Sequence, residues 1–281
     1  MCRGDVSPTL RSAAEELIAE EVLASAVCSA ATASTNNDAL EELGRITAEA
    51  LPRLHVTDRQ TAGRGRQGNR WQSDTDSLTF SLIVPFEVRS PAGGVVSLAV
   101  GVAVAEAVEF VYAPCRLVLK WPNDICMNAA SRTGSPAQLH KLGGILIESS
   151  ASIENRLVVG IGLNLNRSPE IADTASTPPA SLADLLGRTV DRRETLVSVV
   201  NRVVESLAAL DAEMTDVIKQ YRSRCVLQGK HLSLKQADRT ISGHCGGIAD
   251  DGALELVVDG VTQRFRSGQV QQIRPRMVSS E

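Results

Sequence analysis

Apolar residues recur at three- and four-residue spacing over residues 10–28. Leu10, Ala14, Leu17, Ile18, Val22 and Leu23 are separated there by Glu15, Glu16, Glu20 and Glu21. That period predicts an amphipathic helix. A second helix is expected after Ser34-Thr-Asn-Asn-Asp38, a cluster of N-cap residue types. Leu78 to Phe86 reads as a strand and Val95 to Tyr112 as a buried helix rich in Ala and Val. Strand-like runs follow at 116–121, 142–149 and 156–166. Residues 129–140 and 168–180 read as loops, since Gly and Pro break them. From Arg193 to Arg224 the helical period returns, with Leu196, Val199, Val200, Val203, Leu207, Leu210, Val217 and Ile218 on one stripe. Short strands then occupy 231–235, 239–248, 253–258, 262–266 and 270–273. Asp250-Asp-Gly252 and Asp259-Gly260 divide them as hairpin turns. This pattern predicts an α+β chain with three parts: an N-terminal helical extension (1–27), a main domain (28–227) and a small C-terminal β-barrel (228–281).

Composition narrows the classes. The chain has 281 residues, a formal charge of −4 and only 3% aromatic residues. A general binder of nucleic acid or anionic membrane is not expected from that charge. The longest apolar stretch, Val95 to Val108, is too short to span a bilayer, and the start of the chain lacks the apolar core of a signal peptide. A cytoplasmic protein is expected. Six cysteines and four histidines fall at no zinc spacing, so scattered reduced thiols are the expectation.

Four segments carry candidate chemistry. In Gln60-Thr-Ala-Gly-Arg-Gly-Arg-Gln-Gly-Asn-Arg-Trp71, Gly63, Gly65 and Gly68 let the backbone approach a ligand. Arg64, Arg66 and Arg70 suit carboxylate or phosphate oxygens, and Trp71 suits a flat ring. A solvated basic turn or an RNA-contacting loop are the alternatives. Lys120-Trp-Pro-Asn-Asp124 ends a strand at Pro122, placing Lys120, Asn123 and Asp124 at a sheet edge. A lysine there suits phosphate and Asp124 suits Mg²⁺ or an arginine; a hydrogen-bonded turn is the plain alternative. In Lys141-Leu-Gly-Gly-Ile145 the glycine pair marks either a close ligand approach or a bulge. Along Leu157 to Leu165, Val158, Gly160, Gly162 and Asn164 share one face that is nearly free of side chains. A flat ligand or a closely packed helix fits against it.

Together these segments resemble the biotin–protein ligase family. The marks are Ser34-Thr-Asn36, Gln60-x-x-Gly-Arg-Gly-Arg66, Lys120-Trp-Pro-Asn-Asp124, Lys141-x-Gly-Gly-Ile145, Gly160-x-Gly-x-Asn-x-Asn166, and the ending Gly268-Gln-Val270 with Ile273-Arg-Pro275. The resemblance implies a mixed β-sheet with flanking helices, similar to class II aminoacyl-tRNA synthetases, plus an SH3-like barrel. It implies that biotin is activated by ATP, with Mg²⁺, to biotinyl-5′-AMP. The acyl group then passes to a lysine on a biotin carboxyl carrier protein domain of acyl-CoA carboxylases. By resemblance, biotin is bound by Ser34, Thr35, Asn36, Gln60, Gly63, Arg64, Gly65, Arg66, Lys141, Gly144 and Gly162. The nucleotide is bound by Arg66, Arg70, Trp71, Lys120, Asn123, Asp124, Gly160 and Asn164. Arg66 and Lys141 are the catalytic candidates, and Asp124 is the one candidate Mg²⁺ ligand. Many members carry an N-terminal helix-turn-helix. Residues 1–33 hold a single acidic helix, so a form without specific DNA binding is expected. A lipoate–protein ligase of related fold and a non-catalytic RNA or protein interaction module are the rival readings.

Overall fold

The computed structural model describes residues 6–87, 90–129, 137–170, 177–236 and 238–274. The main unit is a seven-stranded mixed sheet. Its strands are β1 (Ser25–Thr32), β2 (Arg53–Gln60), β3 (Ser77–Pro85), β4 (Val118–Lys120), β5 (Asp124–Ala129), β6 (Gln138–Ser150) and β7 (Ile153–Asn164), in the order β1-β2-β3-β7-β6-β5-β4. Only the β1–β2 pairing is parallel. Helices α1 (Pro8–Ala19), α3 (Val96–Val111) and α5 (Arg192–Arg224) share one large core with one face of the sheet. Leu157, Val159, Ile161 and Leu163 of β7 point into that core, as their alternation predicts. Helix α2 (Thr35–Glu42) lies on the other face, where Ala39 and Leu43 pack on Ile83 and Val158. Because α2 is short, it covers one end of that face, reaching Gly160 through Asn36 and leaving Gly162 to another partner.

The structure departs from several expectations. The first helix ends at Ala19 rather than near residue 28, because Glu21 turns to φ 60° and residues 25–32 enter the sheet beside β2. Val22 and Leu23 kept the helical period, but pairing with a distant strand overrode it. The expected boundary at 27/28 therefore falls inside β1. Strand β5 and the short helix α4 (Leu182–Leu186) were not foreseen. Much of the expected 129–140 loop lies outside the described residues, but β6 already begins at Gln138. Finally, Cys28 is disulfide-bonded, against the expectation of reduced thiols, while Cys115, Cys126, Cys225 and Cys245 are free.

Segment Ala92–Val111 is long and apolar enough to cross a membrane, longer than the stretch read from the sequence. Here it serves as the core helix: 67% of its apolar window is buried within the fold, and α5 packs along it.

The C-terminal unit is a five-stranded antiparallel sheet that fits an SH3-like domain. Its strands are β8 (His231–Gln236), β9 (Arg239–Ile248), β10 (Leu254–Val258), β11 (Val261–Phe265) and β12 (Gln269–Arg274), in the order β11-β10-β9-β8-β12. Asp259 and Gly260 both take positive φ between the paired Val258 and Val261, which is a two-residue hairpin turn. The unit docks on the main sheet through the Asp250–Gly252 turn. Trp121 is buried and donates from Nε1 to the Gly252 carbonyl at 3.1 Å. A Cβ on Gly252 would come within 2.9 Å of Val95, so the approach requires glycine. Apolar residues from both units join in the larger core.

Candidate functional site

A cavity of about 620 Å³ opens on the face of the sheet that α2 leaves uncovered. It gathers nearly every residue singled out from the sequence. Ser34, Thr35, Asn36, Gln60, Arg64, Gly65, Arg66, Arg70, Trp71, Lys120, Asn123, Asp124, Lys141, Gly144, Gly160, Gly162 and Asn164 all border it. Gly63 does not. It shapes the loop instead: its carbonyl accepts the Trp71 N–H at 2.9 Å, and a Cβ there would come within 2.5 Å of the Trp71 carbonyl.

The floor is β7. A Cβ on Gly160 would fall 2.8 Å from Asn36 Cγ, and one on Gly162 2.5 Å from Trp71 Cζ2. The two glycines therefore admit one side chain from α2 and one from the glycine-rich loop. The close-packing alternative holds at Gly160, where a residue of α2 packs, while Gly160, Gly162 and Asn164 all border the cavity.

At one end of the cavity the polar groups are wired to each other. Gln60 Oε1 accepts from the Thr35 backbone N–H at 2.8 Å and from Thr35 Oγ1 at 3.2 Å. Ser81 Oγ donates to Asn36 Oδ1 at 2.5 Å and stands 2.7 Å from Thr35 Oγ1. Asn36 Nδ2 donates to the Leu146 carbonyl at 3.2 Å and to Glu148 Oε2 at 2.8 Å. All of these side chains except Glu148 are buried. Buried amides and hydroxyls held this way present fixed donors and acceptors to a polar ring.

At the other end sit the charges. Lys120 and Asp124 face each other across the β4–β5 turn at 3.7 Å, and Lys141 pairs with Asp124 as well. Lys120 is only 4% exposed and donates to Thr177 Oγ1 at 3.1 Å. Lys141 reaches this face through a bulge: Gly143 pairs with Ile125, but Lys141 pairs with Cys126, so Leu142 is the extra residue. The Gly143-Gly144 pair thus reflects a bulge and a close strand approach together, since a Cβ on Gly143 would fall 2.5 Å from the Gly162 carbonyl. Arg66 donates to Asn123 Oδ1 at 3.3 Å, and Asn123 Nδ2 donates to the Ile145 carbonyl at 2.8 Å. Burial lowers the pKa of Arg66, with the charge of Asp124 opposing it. Burial, with the Asp124 charge second, pushes the neighbouring Cys126 thiol up to about 12 and so keeps it un-ionised. Arg66, Lys120 and Lys141 outnumber the carboxylate of Asp124, so this end attracts a polyanion.

Several residues of the site were not anticipated. Ser81 and Thr79 belong to an alternating buried polar set, Ser77, Thr79 and Ser81, on a strand otherwise apolar. That alternation was legible. Glu148, Thr177 and residues 268–271 were not singled out as site residues, and the last of these bring the C-terminal unit to the cavity's rim.

Residues 29–166 match the model of the biotin/lipoate A/B protein ligase family. The biotin–[acetyl-CoA-carboxylase] ligase of Mycobacterium tuberculosis is 31% identical over 254 residues, covering 87% of this chain and 88% of that one. The chain belongs to the biotin–protein ligase family. A biotin–[acetyl-CoA-carboxylase] ligase from Paracoccus denitrificans is 29% identical over 81% of this chain and 92% of its own length. Among solved structures, the biotin protein ligase of Aquifex aeolicus in complex with biotin and ATP superposes with a TM-score of 0.70 at 26% identity, covering 90% of this chain and 99% of that one. The family's fold is thus present in both units, mixed sheet and C-terminal module.

Proposed function

We propose that this chain joins biotin to ATP in the cavity and transfers the activated acyl group to a lysine of a biotin carboxyl carrier protein domain, in the cytoplasm. The observation that carries the reading is the cavity's two-ended character: a wired polar pocket seated close on the β7 glycines at one end and three cations at the other.

Thr35, Asn36, Gln60 and their neighbour Ser34 read the ureido ring. Gly160 and Gly162 let Asn36 and Trp71 lie close to the sheet, which leaves room for the ring above them. Arg64 and Arg66 draw the carboxylate toward the cationic end. There the carboxylate oxygen attacks the α-phosphorus of ATP, the bond to the bridging oxygen breaks, and pyrophosphate leaves. Two anions must meet for this step. Arg66, Lys120 and Lys141 lower that repulsion, most of all as charge builds on the phosphoryl oxygens. Asp124 keeps both lysines at this end, and Asn123 holds Arg66 toward it. Asn164, Arg70 and Trp71 border the space for the nucleoside. In the second step the uncharged amine of the carrier lysine attacks the acyl carbon and AMP leaves.

Mg²⁺ brought with ATP would add charge neutralisation at the phosphates. Among the described residues of the cationic end, Asp124 would serve as the protein ligand. Among the described residues no group of three His, Cys, Asp or Glu is placed to hold a metal, so the remaining ligands would be phosphate oxygens and water.

The polar pocket favours biotin over lipoate. A dithiolane ring brings no hydrogen-bonding groups to a pocket lined by Thr35, Asn36 and Gln60, whereas a ureido ring brings both donors and an acceptor. The inward-facing Arg66 likewise fits a small anion better than an RNA strand. The test is pyrophosphate release by the purified chain with ATP and Mg²⁺. Release that requires biotin and is not supported by lipoate supports the reading. Release with lipoate alone, or with neither acid, overturns it.

A further inference from the structure

We infer that Glu148 is a positioning residue for the same reaction: it tunes how strongly Arg64 attracts the substrate's carboxylate and it orients Asn36. The inference rests on the proposed biotin ligase reading.

Glu148 lies on β6, two positions beyond Leu146 and four beyond Gly144, so the three share a face of the strand. Gly144 and Leu146 border the cavity, and Glu148 stands behind two other lining residues, Asn36 and Arg64, which it binds. Both of its oxygens are engaged. Arg64 Nη1 donates to Oε1 at 3.1 Å and Nη2 donates to Oε2 at 2.8 Å, a two-pronged ion pair. Oε2 also accepts from Asn36 Nδ2 at 2.8 Å. Through Asn36 the connection continues to Ser81, Thr35 and Gln60. One carboxylate therefore joins the loop cation to the groups that read the ring.

Two consequences follow from this geometry. A substrate carboxylate reaches the guanidinium of Arg64 only in competition with a carboxylate that already holds its fork. The pair is partly exposed, at 39% for Arg64 and 22% for Glu148, so the competition is moderate and leaves the cation exchangeable. Separately, both amide hydrogens of Asn36 are directed by the Leu146 carbonyl and Glu148, which fixes the side chain over Gly160. Loss of the acceptor at 148 frees that amide to rotate.

The two roles separate by substitution. Glu148→Gln removes the charge but keeps an acceptor oxygen for Asn36. Glu148→Ala removes both. Affinities for biotin and for its uncharged primary-alcohol analogue are measured by calorimetry in the wild type, in both variants, and in Arg64→Gln with and without Glu148→Gln. Thermal melting confirms folding, and Glu148→Gln alone tests the first role if the alanine variant does not fold. In Glu148→Gln the preference for biotin over the alcohol should rise about two- to tenfold, and the rise should vanish in the Arg64→Gln background. In Glu148→Ala the alcohol itself should bind more weakly, while Glu148→Gln keeps it near the wild-type value. An unchanged preference in Glu148→Gln overturns the first role. An alcohol affinity equal in Glu148→Ala and wild type overturns the second. Failure of the wild type to release pyrophosphate with biotin would overturn the ligase reading instead, and that result is read independently of either ratio.

Discussion

Replacing Gly160 by alanine tests the floor of the cavity with one methyl group. The new Cβ would lie 2.8 Å from Asn36 Cγ, where carbon atoms normally approach to 3.5–4.0 Å. Asn36 has to retreat by roughly 1 Å. It is buried and makes three hydrogen bonds, to Ser81, to the Leu146 carbonyl and to the charged Glu148. Losing all three would cost roughly 2.5–6 kcal/mol, with the charged acceptor contributing most. Even the lower figure corresponds to about a seventyfold change in an equilibrium constant. Biotin affinity should therefore fall by that order, since the displaced amide can no longer face the ring and is itself pushed toward the ring's space. Calorimetric titration with biotin measures the loss, and thermal melting measures how much appears as lost stability. The double variant Asn36→Ala with Gly160→Ala removes the collision. It should recover melting temperature without recovering biotin affinity. A Gly160→Ala protein that binds biotin within about threefold of wild type, well under 1.4 kcal/mol, would refute the placement of the ring against Asn36.

Arg66→Ala should lower adenylate formation by about 2–4 kcal/mol of transition-state stabilisation, read as pyrophosphate release under saturating substrates. Lys141→Ala should slow pyrophosphate release far more than it weakens biotin binding, because its charge matters most as the phosphoryl oxygens gain charge; equal losses in the two assays would make it a simple binding residue. Burial lowers the pKa of His55, with Arg53 adding to that effect and Glu42 and Asp38 opposing it. The unfolded chain then takes up a proton at a higher pH than the native one, so His55 contributes stability above pH 6.5 that is lost as pH falls toward its folded value. Melting temperature should drop on acidification through that window, and less so in His55→Gln; an identical slope in the variant would exclude His55 as the source.

The elements legible in the sequence were those whose information is local. The stripe of α5 repeats over 33 residues and its expected span is off by one residue at the start. The barrel hairpins announce themselves through Asp-Gly turns, and the empty face of β7 shows in strict alternation. What stayed hidden depends on partners far along the chain. Glu148 acquires meaning only through Asn36 and Arg64, which lie 112 and 84 residues away. Lys141 reads as the wrong parity for the cavity face until the bulge at Leu142 restores it. Strand β5 stays hidden because Pro122 reads as the end of the ladder, whereas it sits in a three-residue turn between Lys120 and Asp124. The first helix was overextended because Val22 and Leu23 satisfy a helical period and a turn into β1 equally well.

The indole of Trp121 sits inside the Lys120–Asp124 segment yet is bonded to Gly252 of the C-terminal unit. Its neighbours Val95 and Leu98 meet the same turn, and Leu232, Leu234, Leu254 and Leu256 merge with the core beneath α5. Heat should thus dissolve the two sheets together, in a single calorimetric transition whose van't Hoff and measured enthalpies agree. A fragment ending near residue 228 would lay bare an indole and a patch of aliphatic surface at the very turn that carries Lys120 and Asp124. The module that looks most detachable on paper works as the outer wall of the chemistry. Grafting the cationic turn onto another scaffold would have to bring that wall with it.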